Sequence, residues 1–146
     1  MNQRCAMGSS CSAAAGSTSS PAESDDPELL RKIPVVDIDN GTFKYVLLTT
    51  YTPSGRQLCL VRGYSDCPYH GDVAARAEEE PTLRAAGCYG TSAQGGGRMV
   101  HDPAAKTLKV FGYSQAFGQA DHAKTVKLCR QHLGLDYRID YGKDGY

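Results

Sequence analysis

Tryptophan is missing from this chain of 146 residues, and phenylalanine occurs only three times, so the aromatic part of any core falls to the nine tyrosines. No stretch approaches the ~18 consecutive apolar residues of a membrane-crossing helix, and no transmembrane span is expected. Charge of one sign is not in excess either. Sixteen basic residues cancel sixteen acidic ones, which leaves no global field to draw in nucleic acid or an anionic membrane. A local basic site survives that argument. The six cysteines include no C-x-x-C pair, which removes a zinc clip and a thioredoxin-like couple. Cys5 and Cys11 fall in a Ser/Ala-rich stretch, while Cys59, Cys67, Cys88 and Cys129 are scattered singly through apparent strand, loop and helix. The N-terminus has no apolar segment of the signal-peptide kind, so reduced thiols in a cytoplasmic protein are expected. The four histidines show no metal-ligand spacing, and neither metal nor cofactor is expected. A monomer without nucleic-acid or membrane partners fits this balance.

What is present divides into a tail and one domain. Residues 1–30 are small, polar and without periodicity, and the first aromatic residue of the chain is Phe43. Such a segment cannot bury enough apolar area to offset chain ordering, so it reads as a disordered tail. The domain is expected over 33–146. "IPVVDID" and "FKYVLLTTY" are strand-like and flank Asn40-Gly41, a turn pair. "RQLCLVRGY" is a third strand, "DVAARAEEE" a helix that is interrupted or restarted at Pro81. "GGGRMVH" and "TLKVFGY" are strands joined through Asp102-Pro103, good residues to open a turn. "QADHAKTVKLCRQHL" is the clearest helix, with His122, Val126, Cys129 and Leu133 on one face and Gly134 as its stop. "DYRIDYG" closes the domain as a strand. The expected fold is therefore α/β of the α+β kind, a single domain with a mixed sheet of about six strands packed by two helices.

Several chemistries fail on spacing. Counted from Asp37, an EF-hand calcium loop would need glycine and glutamate where Thr42 and Leu48 stand. The "D-x-D" of an aspartyl-phosphate hydrolase is present, but the domain is small for capping such a site, so Asp37 and Asp39 read as turn and edge residues. A cysteine phosphatase would place arginine six residues after its nucleophile, where Ser65, Val73, Gln94 and Leu135 are found. "QGGGRMV" could offer backbone N–H groups to an anion, yet no G-K-[ST] follows, and a glycine triplet alone is more often a flexible turn.

The surviving segments are "FKYVL", "VRGY", "YHGD", "GGGR" and "FGYSQAFG". They supply a lysine, two arginines, a histidine and a glycine-flanked serine. Together these are the inventory for holding a phosphoryl group: cations, backbone donors and one imidazole. His70 stands where a strand-like run meets the start of a helix. It is either a turn residue with a satisfied ring or a reactive imidazole on a rigid corner. The helix N-terminus disfavours imidazolium and so favours the neutral ring, although Asp72 partly opposes this.

In combination and order, V-D-I-D, G-x-F-K-Y-V-L, V-R-G-Y, Y-H-x-D, G-G-G-R, G-Y-S-x-A-[YF]-G, the following H-A and the terminal D-G-Y resemble the protein phosphohistidine phosphatases, the Janus/ocnus family, over Ile33 to Tyr146. The resemblance implies a small metal-independent phosphatase acting on histidine-phosphorylated proteins. It places His70 on the catalytic histidine, Lys44 on a substrate-binding lysine, and Ser114, Gln115 and Ala116 on the phosphate-binding loop. Arg62 and Arg98 fall on basic motif positions expected near the pocket. His122, on an apolar helical face, reads first as structural. The proton-accepting and nucleophilic roles of His70 both remain open. Departures are Gly71 where alanine is usual, a "CYGTSAQ" segment without additional cysteines, and Glu78-Glu79-Glu80-Pro81, which lengthens or breaks the first helix. Rival functions are a non-catalytic phosphoprotein-binding module and a phosphatase for another N-phosphorylated residue such as phospholysine.

Overall fold

Alternation along β2 (Gly41–Tyr51) organises the molecule. Phe43, Tyr45 and Leu47 enter one core cluster, and Val46 and Leu48 enter another on the opposite face, as the two-residue period of a strand dictates. The computed structural model describes residues 25–142. Around β2 lie β1 (Val36–Ile38), β3 (Gln57–Tyr64), β4 (Tyr89–Asp102), β5 (Thr107–Phe111) and β6 (Arg138–Tyr141), forming a six-stranded sheet in the order β1-β3-β2-β4-β5-β6. The inner ladders are antiparallel, and the outer pairs β1·β3 and β5·β6 are parallel. This is the mixed sheet the strand pattern predicts.

Helices α2 (His70–Glu78) and α3 (Pro81–Ala85) cover one face through Val73, Ala74, Ala77 and Leu83. Helix α4 (His122–Leu133) covers the other through Val126 and Cys129. Asp121 caps α4 by accepting from the Lys124 N–H at 3.2 Å, and Gly134, at φ 106°, ends it. Pro81 restarts the chain as the first residue of α3, where its missing N–H costs nothing. No helix among the described residues is long and apolar enough to cross a membrane.

Three expectations change. Asn40-Gly41 does not join paired strands: β1 pairs with β3, which lies between β1 and β2. The chain turns there, with Gly41 at φ 85°, but the partner of β1 is chosen by a strand further on. Second, Pro27–Arg31 form a short helix α1 inside the stretch read as tail. Leu29 and Leu30 pack against the second core cluster, and Asp25 accepts hydrogen bonds from the Ser54 N–H and from the hydroxyls of Thr52 and Ser54. Two leucines and one carboxylate suffice to dock a segment that composition alone marks as coreless. Cys5, Cys11, the rest of that tail and Asp144-Gly145-Tyr146 lie outside the described residues. Third, β4 begins at Tyr89, so the strand expected from the glycine triplet onward starts earlier and the triplet lies in its middle.

Candidate active site

Even-numbered residues of β2, of β3 and of β4 after its bulge face α2, so Lys44, Arg62 and Arg98 project from the same side of the sheet. Lys44 and Arg98 are direct cross-strand partners. The N-terminus of α2 arrives over this face, held by the Asp72 carboxylate, which accepts from the Tyr69 N–H at 3.2 Å. His70 is the first residue of α2 and only 5% exposed. Its Nε2 lies 2.9 Å from the Gly97 carbonyl. A carbonyl oxygen only accepts, so Nε2 carries the proton and Nδ1 keeps the lone pair.

The glycines of β4 explain how the ring fits. A Cβ on Gly96 would stand 2.8 Å from the His70 ring and 3.1 Å from Ser114 Cβ, and one on Gly95 would stand 2.6 Å from the Ala120 backbone. The triplet is thus a strand stripped of side chains, allowing His70 and the segment 114–120 to press on its backbone. That segment is stitched down by Gly96 N–H to Gly118 O at 3.0 Å and Ala120 N–H to Gly96 O at 3.1 Å. Ser114, 1% exposed, closes the loop: its N–H and C=O bond Gly118, and its Oγ accepts from the Phe117 N–H at 3.1 Å. Among the described residues, no acceptor takes the backbone N–H groups of Gln115 and Ala116, nor those of His70 and Gly71 at the first turn of α2.

These parts line one cleft of about 230 Å³, formed by Lys44, Tyr69, His70, Gly71, Ser114, Gln115 and Ala116. Lys44 Nζ is held by the Pro68 carbonyl at 2.7 Å and sits 5.5 Å from the Tyr69 ring centroid. Burial pushes the His70 pKa below that of an ordinary histidine, and the charges of Lys44 and Arg98 push in the same direction, opposed by the bond to Gly97. Arg98 lines an adjoining cleft with Thr42, Ser65 and Cys67, sharing Lys44 as the common wall.

Arg62 is not part of the cleft. It is 0% exposed, and its guanidinium binds both Glu80 carboxylate oxygens and the carbonyls of Pro34, Val35 and Val61. Its fork geometry serves the α2–α3 corner instead of an incoming anion. His122 is likewise committed: Nε2 donates to the Gly112 carbonyl at 2.8 Å, and Nδ1 accepts from the Tyr45 hydroxyl at 2.6 Å. Burial raises the pKa values of Cys67 and Cys88 and pushes Cys129 up to about 12, which disfavours the nucleophilic thiolate at these three cysteines. No group of three or more His, Cys, Asp or Glu side chains able to hold a metal occurs among the described residues. Sequence reasoning missed the Gly97 carbonyl, which sets the tautomer of His70, and Tyr69. Backbone acceptors carry no sequence signal. Tyr69 does carry one, because an aromatic occupies the N-cap position, where a small polar residue is usual.

Residues 30–137 match the family model of the Janus/Ocnus family (Ocnus). This chain belongs to the Janus/Ocnus family. Among its Janus/Ocnus relatives, sex-regulated protein janus-A of Drosophila melanogaster is 39% identical over 123 residues, covering 82% of this chain and 86% of that protein. The janus-A protein of Drosophila yakuba is 41% identical over the same length. The 14 kDa phosphohistidine phosphatase of Sus scrofa is 35% identical over 124 residues, covering 80% of this chain and 95% of that one.

Proposed function

We propose that this Janus/Ocnus protein is a protein histidine phosphatase that hydrolyses the P–N bond of phosphohistidine, without a metal, using His70 as general base. The observation that carries this reading is the His70–Gly97 hydrogen bond. It fixes a desolvated imidazole with Nδ1 as its only basic nitrogen, in a cleft that also holds an ammonium group and backbone N–H groups that meet no acceptor among the described residues. The named activity of the 35% identical pig relative is consistent with it.

In this reading Lys44 and the N–H groups of Gln115 and Ala116 hold the phosphoryl oxygens and stabilise their charge as the P–N bond loosens. Water attacks phosphorus, and Nδ1 of His70 takes its proton. The P–N electron pair leaves with the imidazole nitrogen of the substrate, which is protonated from solvent. Arg98 contributes field rather than contact. The test is release of inorganic phosphate from a phosphohistidine peptide in the presence of a chelator. Turnover is expected to persist. Activity that disappears in chelator and returns with a divalent ion removes the metal-free mechanism, and tight binding without release makes the cleft a phosphoprotein-binding site.

A further inference from the structure

We infer that Tyr69 reads the leaving group, stacking on the substrate imidazole and so favouring phosphohistidine over aliphatic N-phosphorylated residues. The inference rests on the phosphatase reading of the same cleft. Six of the lining residues supply charge, a base, small side chains or backbone donors. None of them is suited to recognise a planar ring except the imidazole of His70, whose lone pair is committed to the reaction. Tyr69 is the remaining lining residue, and its side chain is 69% exposed at the cleft.

Nothing in the fold requires an aromatic ring there. The side chain makes no capping hydrogen bond for α2, and Tyr69 belongs to neither core cluster. Its backbone is extended, at φ −127° and ψ 151°, so it stands off the helix while His70 turns in. The Lys44 ammonium 5.5 Å from its centroid steadies the ring by a cation–π contact and ties it to the residue that would hold the phosphoryl group. A phosphoryl group seated on Lys44 and the 115–116 loop projects its nitrogen substituent outward. There a π-face attracts an imidazole by offset stacking but gains little from an alkyl chain.

The experiment measures kcat/KM of the full chain, Tyr69→Leu and Tyr69→Phe on a phosphohistidine peptide, the same peptide carrying phospholysine, and phosphoramidate. Tyr69→Leu is expected to lose about tenfold on phosphohistidine, as a ring-on-ring contact at an exposed site is worth, with the other two substrates nearly unchanged. Tyr69→Phe should keep the unsubstituted preference. An equal loss on all three substrates would show that Tyr69 merely positions Lys44 or His70, and no loss would show that it does nothing; either overturns the inference while the phosphatase reading stands. A full chain that releases phosphate from none of the three overturns both.

Discussion

Burial, assisted by Lys44 and Arg98, holds His70 below the ordinary histidine value of 6.5, and this sets both a pH profile and a division of labour. A general base works when unprotonated, so kcat/KM should fall only as pH drops through a midpoint below 6.5. Stability follows the same sign. Between 6.5 and the lowered native value the unfolded chain binds the proton first, so this contribution is full above 6.5 and lost as pH falls. His70→Ala should cut kcat by about 10²–10⁴ while phosphopeptide still binds, and Lys44→Ala should chiefly raise KM. Steady-state kinetics with circular dichroism on both variants checks this; near-normal turnover by folded His70→Ala would remove its catalytic role. Two glycines separate in the same way. A Cβ on Gly71 meets nothing within 4 Å, so Gly71→Ala should stabilise by about 0.5–1 kcal/mol through lower chain entropy. On Gly97 it would stand 2.5 Å from the Phe111 carbonyl and 2.8 Å from His122 Cε1. Gly97→Ala should therefore cost about 1–3 kcal/mol and shift the acceptor of His70, so urea midpoints should move in opposite directions.

At the scale of elements, the α2–α3 corner is pinned to β3 by one ion pair. Glu80 precedes α3 with an extended backbone and no capping bond of its own, which leaves its carboxylate to Arg62. The arginine side chain is fully buried and the glutamate 14% exposed, so removing the partner strands a charge in the core. Glu80→Ala is expected to cost about 3–5 kcal/mol, read from the urea midpoint, with KM of the folded protein unchanged. A raised KM at constant stability would return Arg62 to the substrate site. The same corner orients α2, whose first turn carries His70. Elements therefore determine where the imidazole stands, and its burial there against the Gly97 carbonyl determines its protonation.

For the molecule as a whole, the short segment from Asp25 through α1 contributes to the structure. Deleting residues 1–30 removes Asp25, Leu29 and Leu30, and with them the bonds to Thr52 and Ser54 and packing on the second core cluster. The truncated protein should melt at lower temperature than the full chain while keeping the His70 cleft, and Asp25→Ala should reproduce part of the loss. The Asp25 carboxylate is held below the usual range, first by the Ser54 N–H, so its share of stability is present above pH 3.8 and fades as pH falls. Unchanged melting on truncation would show that the docked segment contributes nothing.

The sequence by itself determined what period and punctuation encode. β-Branched and aromatic runs bounded by turn residues marked the six strands apart from the start of β4, the 122–133 periodicity marked α4, and Pro81 marked the break between α2 and α3, because these depend on neighbours along the chain. Local chemistry and family pattern also marked Lys44, His70 and the 114–116 loop, which the fold gathers into one cleft. Only the tertiary structure distinguished Arg62 from Arg98. Both are arginines on the same face of the sheet, on β3 and β4 either side of β2; the distant Glu80 carboxylate holds the Arg62 guanidinium in the core, whereas Arg98 lines the cleft beside Lys44. The reason for three glycines in that strand was likewise unreadable until the 114–120 segment and the His70 ring were seen pressing on it. Contacts between residues far apart in the chain decide which polar groups are spent on the fold and which are left for a substrate, and no periodicity records them.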